Sequence, residues 1–289
     1  SEVTKDVMAE IKNNNYKIDK NLAQAKINLA TIYQHFNKNK DAIDIYVDLE
    51  KKGKNDPNIY YNSANIHLAL GRFQEGWERH EYRWKVDPLN KVKWPIEGRD
   101  LWEGQYDRDV VLWREQGIGD ELIFLGLVPE ACTRCKSVSV YIDKRLIPLC
   151  ERSMPDVRFL SKSEQIGERE FDYHLPMGSL PRLFRSSEED FQKTVKNYLK
   201  ADLDRVEVLR QELNVSDRKV VGISWKSIKS LNHLKKSLTL TEFGKIFQGL
   251  DIVLLNLQYG EVDEEIKAFE RDTGIEIIQC SSVDNREDL

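Results

Sequence analysis

Apolar and polar positions follow two rhythms along this chain. Through the first ninety residues, small and aromatic apolar residues recur at helical spacing, with almost no strand signal. From residue 109 onward, short apolar runs alternate with helical stretches. The runs predict strands at 109–113, 137–142, 157–160 and 171–175. Between and after them, helices are predicted at 120–131 (ended or kinked by Pro129), 145–152 and 190–199. A connecting helix is expected over 203–214. A second series follows, with strands at 219–225, 251–257 and 275–279 and helices at 241–249 and 262–272. Strands alternating with helices imply parallel sheets.

The helical part contains a repeat. Asn28, Ala30 and Ile32 recur as Asn62, Ala64 and Ile66, and the same 34-residue offset carries Tyr33 onto His67 and Ala42 onto Gly76. A helix–turn–helix period of that length is the tetratricopeptide signature. Leu29, Ala30, Tyr33, Ala42, Tyr46 and Leu49 fill the packing positions of one copy. Tyr60, Ala64, Gly71, Gly76 and Pro88 fill those of the next, and residues 4–20 read as a degenerate earlier copy. Such a pair of repeats offers either a peptide-binding groove or a docking spacer. Residues 89–108, with Trp94, Pro95, Gly98, Trp102 and Gly104, read as a linker that packs two aromatics.

The first strand predicts a site. Val110, Val111, Leu112 and Trp113 lead through Gly117 and Gly119 into an apolar helix, with Asp120 beside its start. Glycines there admit a tight turn and close backbone approach. Open α/β sheets place ligands at the carboxyl ends of strands. Asp120 therefore has two readings, a helix cap or a general base.

A second site is predicted after the strand at 219–225. From Arg218 to Leu240 there is no acidic residue, while Lys219, Lys226, Lys229, His233, Lys235 and Lys236 fall within the span. In a chain of net charge −5 this is a concentrated positive field, placed to neutralise phosphate with Ser224, Ser227 and Ser237 as hydroxyl donors. The bland reading is a solvated basic loop.

Composition narrows the classes. Forty per cent hydrophobic and 32% charged residues describe an ordinary globular chain. The net negative charge argues against nucleic acid as partner, and no apolar run reaches the length of a membrane span. The start at Ser1 has no signal-peptide core. Four cysteines are too few for a disulfide scaffold, so all four are read as reduced thiols of a cytoplasmic protein. Cys132 and Cys135 form a lone Cys-x-x-Cys without a second ligand pair, and no metal is expected. Two Asp-x-Asp pairs, Asp107 with Asp109 and Asp202 with Asp204, do not follow strands and read as solvated or capping acids. Position 122 is Leu, so the Gly-x-Gly-x-x-Gly dinucleotide fingerprint is absent.

The order of motifs carries a resemblance. Gly-x-x-x-Glu-Gly-Trp-Glu-x-x-Glu-x-Arg-Trp lies at 71–84, Gln-Gly-x-Gly-Asp-Glu at 116–121 and Pro-Met-Gly-Ser-Leu-Pro at 176–181. Gly-Ile-Ser-Trp-Lys follows at 222–226, Lys-Ser-Leu at 236–238 and Asn-Leu-Gln-Tyr-Gly at 256–260. Across essentially its whole length the chain resembles bacterial tetratricopeptide-repeat proteins with a C-terminal glycosyltransferase domain. That domain is similar to the lipopolysaccharide heptosyltransferases and, more distantly, to O-linked N-acetylglucosamine transferase.

The resemblance implies an α plus α/β fold, with tetratricopeptide helical repeats followed by a two-Rossmann (GT-B-like) region whose second domain is truncated. The expected segments are repeats at 1–90, a linker at 91–108, an acceptor-side Rossmann-like domain at 109–202, a connecting helix at 203–216 and a partial donor-side domain at 217–289. It implies an inverting glycosyltransferase, with a nucleotide-sugar donor and a protein or glycan acceptor. Asp120 matches the proposed base. Lys236, then Lys226, match the lysine that contacts the donor diphosphate, near Gly117, Gly119, Ser224 and Ser237. No further cofactor is implied. The family's next motif, Thr/Ser-x-x-His-x-x-Gly, would follow Leu289, so the expectation is a fragment with an incomplete donor site. The alternative is a non-catalytic tetratricopeptide scaffold that binds a protein partner through its repeats.

Overall fold

The structure is a computed structural model, and it describes residues 20–53, 56–86, 99–115, 117–167, 170–215, 218–227, 237–284 and 286–287. It is a mixed fold of helices and two parallel sheets. The chain divides into two compact units, one of residues 1–143 with 156–198, the other of 144–155 with 199–289. No helix among the described residues is long and apolar enough to cross a membrane.

The first unit opens with helices α1 (Lys20–His35), α2 (Asn39–Lys51), α3 (Pro57–Ala69) and α4 (Phe73–His80), each packed on the next. The 34-residue period appears in the backbone. Asn37 and Gly71 both take left-handed φ, 57° and 73°, between their helices. The N–H of Lys38 reaches the Tyr33 carbonyl at 2.9 Å, and that of Arg72 reaches the His67 carbonyl at 2.9 Å. This is the helix-ending turn in which the left-handed residue lets the chain double back. Ala30, Ala42, Ala64 and Gly76 are all buried, as close helix approach demands. A Cβ on Gly76 would come within 2.6 Å of the Leu68 side chain. Ile27, Tyr33, Tyr46, Leu49, Ile59 and Ile66 fill the core between the helices. Pro88 and the expected copy at 4–20 lie outside the described residues.

A 3₁₀ turn (Glu81–Lys85) leads away from α4, and the sheet follows. Strands β1 (Asp109–Trp113), β2 (Ser137–Tyr141), β3 (Arg158–Leu160) and β4 (Tyr173–Pro176) run parallel in the order β3-β2-β1-β4. Val110, Val111 and Leu112 are buried on both faces, the pattern of a central parallel strand. Part of the expected linker is built into this sheet, because Trp102 donates its N–H to the His174 carbonyl at 2.9 Å. The indole of Trp102 is fully buried and bonds the Gln105 carbonyl.

Two expected helices differ. The run at 120–131 is two helices, α5 (Ile118–Leu125) and α6 (Val128–Cys132), with Gly126 and Leu127 between them and Pro129 in the first turn of α6. The helix expected at 190–199 is only a 3₁₀ turn over Glu189–Lys193. There Phe191 packs on Phe73, Thr194 accepts from Arg185, Asn197 turns left-handed at φ 55°, and the Tyr198 hydroxyl bonds the Leu122 carbonyl. Helix α8 (Leu180–Phe184) packs against α4.

The second unit holds α7 (Ile147–Ser153), α9 (Leu203–Leu213) and a parallel sheet of β5 (Lys219–Ile223), β6 (Ile252–Asn256) and β7 (Ile277–Ile278), in the order β5-β6-β7. Helices α10 (Leu240–Gly244) and α11 (Asp263–Thr273) pack on one another. Asp202 caps α9 through the Arg205 N–H, as the sequence suggests. Asp109 binds Lys136 and Ser137 at the start of β1, away from the carboxyl end.

Candidate functional site

In the four-stranded sheet, β2 and β3 lie to one side of β1, while β4 lies on the other. The strand order reverses between β1 and β4, and such a switch point opens a crevice at the carboxyl ends of the strands. Two turns leave from this place, Gly117–Asp120 after β1 and Met177–Ser179 after β4, and α5 packs against the second.

Gly117 caps α5 with φ −79° and ψ 167°, and Gly119 is inside the helix. Neither has the positive φ that calls for glycine. A Cβ on Gly119 would meet nothing within 4 Å, and one on Gly117 only the Asp120 carboxylate at 3.7 Å. Neither conformation nor packing among the described residues requires glycine here. What glycine adds at these positions is room for something else to approach the backbone.

Asp120 is the third residue of α5 rather than its cap. Its Oδ2 accepts the Gly117 N–H at 3.2 Å, the reach-back half of a capping box. No other hydrogen bond to it is made among the described residues, so a half-buried carboxylate stands at the switch point with acceptor capacity left over.

Behind it is a polar network. Arg83, from the 3₁₀ turn, is wholly buried. It grips Glu115 through Nε and Nη2 at 3.0 Å each and reaches Glu81 at 2.8 Å, Ser179 Oγ at 2.8 Å and His80 Nδ1 at 3.1 Å. Ser179 in turn donates to Glu81 at 2.9 Å. The guanidinium also lies over the Trp84 ring, which packs on Trp113. Burial pushes the Glu115 carboxyl up, while Arg83 and the Gly178 N–H pull it part of the way back. Gly178 is a packing glycine, since its Cβ would sit 1.9 Å from Glu115 Oε1. Burial, then the neighbouring Arg83, pushes His80 down to about 3, so its imidazole is neutral at physiological pH. Burial raises Tyr61, with Arg83 pulling it down and Glu115 and Asp120 adding to the rise. Glu121, next to Asp120, is buried between Arg114, whose Nε is 2.8 Å away, and the Asp143 N–H at 2.7 Å.

The basic loop is partly within view. Gln258, buried beside β6, accepts from the Ser224 hydroxyl at 3.1 Å and from the Trp225 and Lys226 N–H groups at 3.0 and 2.9 Å. Lys226 Nζ pairs with Glu265 on α11 at 2.5 Å, and Trp225 Nε1 bonds the same carboxylate. Burial alone would raise Glu265, but the bonds from Lys226, the Leu240 N–H and Trp225 outweigh it and leave it lowered. The Ser227 N–H is held by Ser237 Oγ at 3.0 Å. Ser224, Lys226 and Ser237 are thus drawn together, but into the loop's own framework. This corrects the picture of Lys226 as an open counter-charge: it is already paired. Lys229, His233, Lys235 and Lys236 lie outside the described residues.

Sequence reasoning missed Arg83, Glu115, His80 and Tyr61, although the first three stand in or beside quoted motifs. It also gave Cys132 and Cys135 no special chemistry. Both are free, and burial raises both thiols, Cys135 to about 12. No group of three or more His, Cys, Asp or Glu suited to a metal occurs among the described residues.

These features define a class: a 34-residue helical repeat joined to parallel α/β sheets, with polar residues gathered at a sheet switch point. The chain is similar to Protein FlbA of Caulobacter vibrioides, 30% identical over 251 residues, a match that covers 80% of this chain and 42% of that protein. The chain therefore spans less than half the length of the curated relative it matches. No protein-family model matches the chain, and no solved structure does.

Proposed function

We propose that the protein is a glycosyltransferase of two-Rossmann architecture, carrying tetratricopeptide-type repeats and working in the cytoplasm. It moves a sugar from a nucleotide-sugar to a hydroxyl of a protein or glycan. Asp120 takes the proton of that hydroxyl, whose oxygen attacks the anomeric carbon. The bond from that carbon to the nucleoside diphosphate breaks, and the diphosphate leaves with the electron pair. Lysines of the loop after β5 hold the leaving charge, with no metal assigned to the step. Because Lys226 is paired with Glu265, this role falls first to Lys236.

The observation that carries the reading is Asp120 at the β1–β4 switch point, with spare acceptor capacity and open space over Gly117 and Gly119. An anion there is favoured by the start of α5. A non-catalytic binding protein is the second reading, favoured by the internal neutralisation of Lys226. The substitution Asp120→Asn separates them in the protein as fully encoded. Asn caps about as well as Asp, so melting should be unchanged. Loss of a general base should slow nucleotide-sugar turnover by about 10²–10⁴-fold. Turnover equal in variant and parent would refute Asp120 as the base. Absence of turnover in the parent with every nucleotide-sugar tried would favour the binding protein.

A further inference from the structure

The helical repeat brings two polar groups to the Asp120 region, and neither the glycine turn nor the buried network uses them. His80 Nδ1 lies 3.1 Å from an Arg83 nitrogen. Arginine only donates, so Nδ1 accepts and the imidazole proton sits on Nε2. His80 is nine-tenths buried, yet Nε2 has no hydrogen-bond partner among the described residues. Tyr61, on α3, is half-buried, and its ring centroid is 6.0 Å from that of His80. Its hydroxyl likewise makes no hydrogen bond among the described residues. It feels the charges of Arg83, Glu115 and Asp120, which places it beside all three. Partners for such groups are the rule in native proteins, so open donors and acceptors in one neighbourhood point to a ligand that supplies them.

The charge here selects the ligand. Arg83 is committed to Glu115, Glu81, Ser179 and His80. The uncommitted charge is the Asp120 carboxylate, which repels anions and accepts from hydroxyls. His80, held neutral, offers one donor, and a neutral phenol donates or accepts.

We propose that Tyr61 and His80, carried by the helical repeat, form with Asp120 a subsite for an uncharged, hydroxyl-bearing acceptor, so that the repeat builds one wall of the reaction site. The proposal deepens the glycosyltransferase reading and rests on it. A sugar hydroxyl and a seryl hydroxyl share this chemistry.

The test is a titration of the protein with two probes, a methyl hexopyranoside and N-acetylserine methylamide. The readouts are the His80 ¹⁵N resonances and the indole N–H of Trp77, whose ring stands edge-on to His80 at 5.8 Å. At least one probe should shift the Nε2 resonance saturably, and the identity of that probe gives the source of the hydroxyl. Tyr61→Phe and His80→Asn should each weaken binding about 2- to 12-fold, the range for one neutral hydrogen bond. His80→Asn keeps an acceptor for Arg83, and if it fails to fold, Tyr61→Phe alone carries the test. Absence of a shift with both probes, or equal affinity in parent and Tyr61→Phe, overturns the subsite. Asp120→Asn distinguishes the two readings. Probe binding with full turnover in that variant keeps the subsite and removes the base. Turnover that depends on Asp120, with no probe bound, keeps the transferase and removes the subsite.

Discussion

Replacing Arg83 by Met tests how much the buried network holds together. Met retains the volume and the packing on Trp84 but leaves Glu115, whose side chain is 3% exposed, without its bidentate partner. Removing one member of a buried ion pair costs about 3–5 kcal/mol, because the remaining charge stays desolvated. For a cooperative unit of this size that is about 6–20 °C in melting midpoint, at about 2–4 °C per kcal/mol.

The loss should depend on pH in one direction. Glu115 is already raised, and without Arg83 it rises further. A carboxyl with a raised pKa in the folded state gives stability that is full below its unfolded pKa. That stability is lost as pH rises through the folded value. The gap between parent and variant should therefore be largest at neutral pH and shrink as the solution is acidified toward the ordinary glutamate range near about 4.3. Thermal melts followed by circular dichroism across that range measure it. Adding Glu115→Leu should recover part of the loss, since an apolar pair can replace a buried ionic one. A loss under about 1 kcal/mol, or one as large in acid as at neutrality, would refute the network as described.

Three further outcomes are expected. Gly178→Ala, with its Cβ 1.9 Å from Glu115, should destabilise by about 1–3 kcal/mol, whereas Gly119→Ala should be neutral or mildly stabilising in melts and harm only ligand approach. Ala42→Trp should overpack the buried α1–α2 contact and lower stability by about 1–3 kcal/mol; an unchanged midpoint would remove that packing assignment. Lys226→Ala should cost about 1 kcal/mol near neutrality, measured by urea unfolding. Because Glu265 is held low, the cost should fade as pH drops through its folded value, and a constant cost would exclude the Lys226–Glu265 pair as its source.

The strands and the repeat were legible in the sequence because their signals are local. Val110–Trp113 is an unbroken apolar run, and Ala30, Ala42, Ala64 and Gly76 keep a fixed offset that backbone hydrogen bonds reproduce. The site was only half legible. Asp120 and its glycines announce themselves within one turn of helix. Arg83 and Glu115 are 32 positions apart and Arg83 and Ser179 are 96 apart, and no period links them. Residues 190–199 failed for a related reason. Phe191, Val195 and Tyr198 have helical spacing, but Phe73 and Leu122 hold Phe191 and Tyr198, and Asn197 breaks the turn. Lys226 was misjudged because a basic loop read alone shows its cations and not the carboxylate of α11 that neutralises one of them.

The matched left-handed turns at Asn37 and Gly71 bear on how such a chain can change length over evolution. A solenoid unit touches only its neighbours. Duplicating or deleting one whole 34-residue unit ahead of α3 would therefore leave Tyr61, His80 and Arg83 in register with the sheet. A gain or loss of any other length would rotate the last helices and pull Arg83 off Glu115. The reach of the array is thus free to vary in steps of one repeat, while its final helix pair is tied to the sheet it serves.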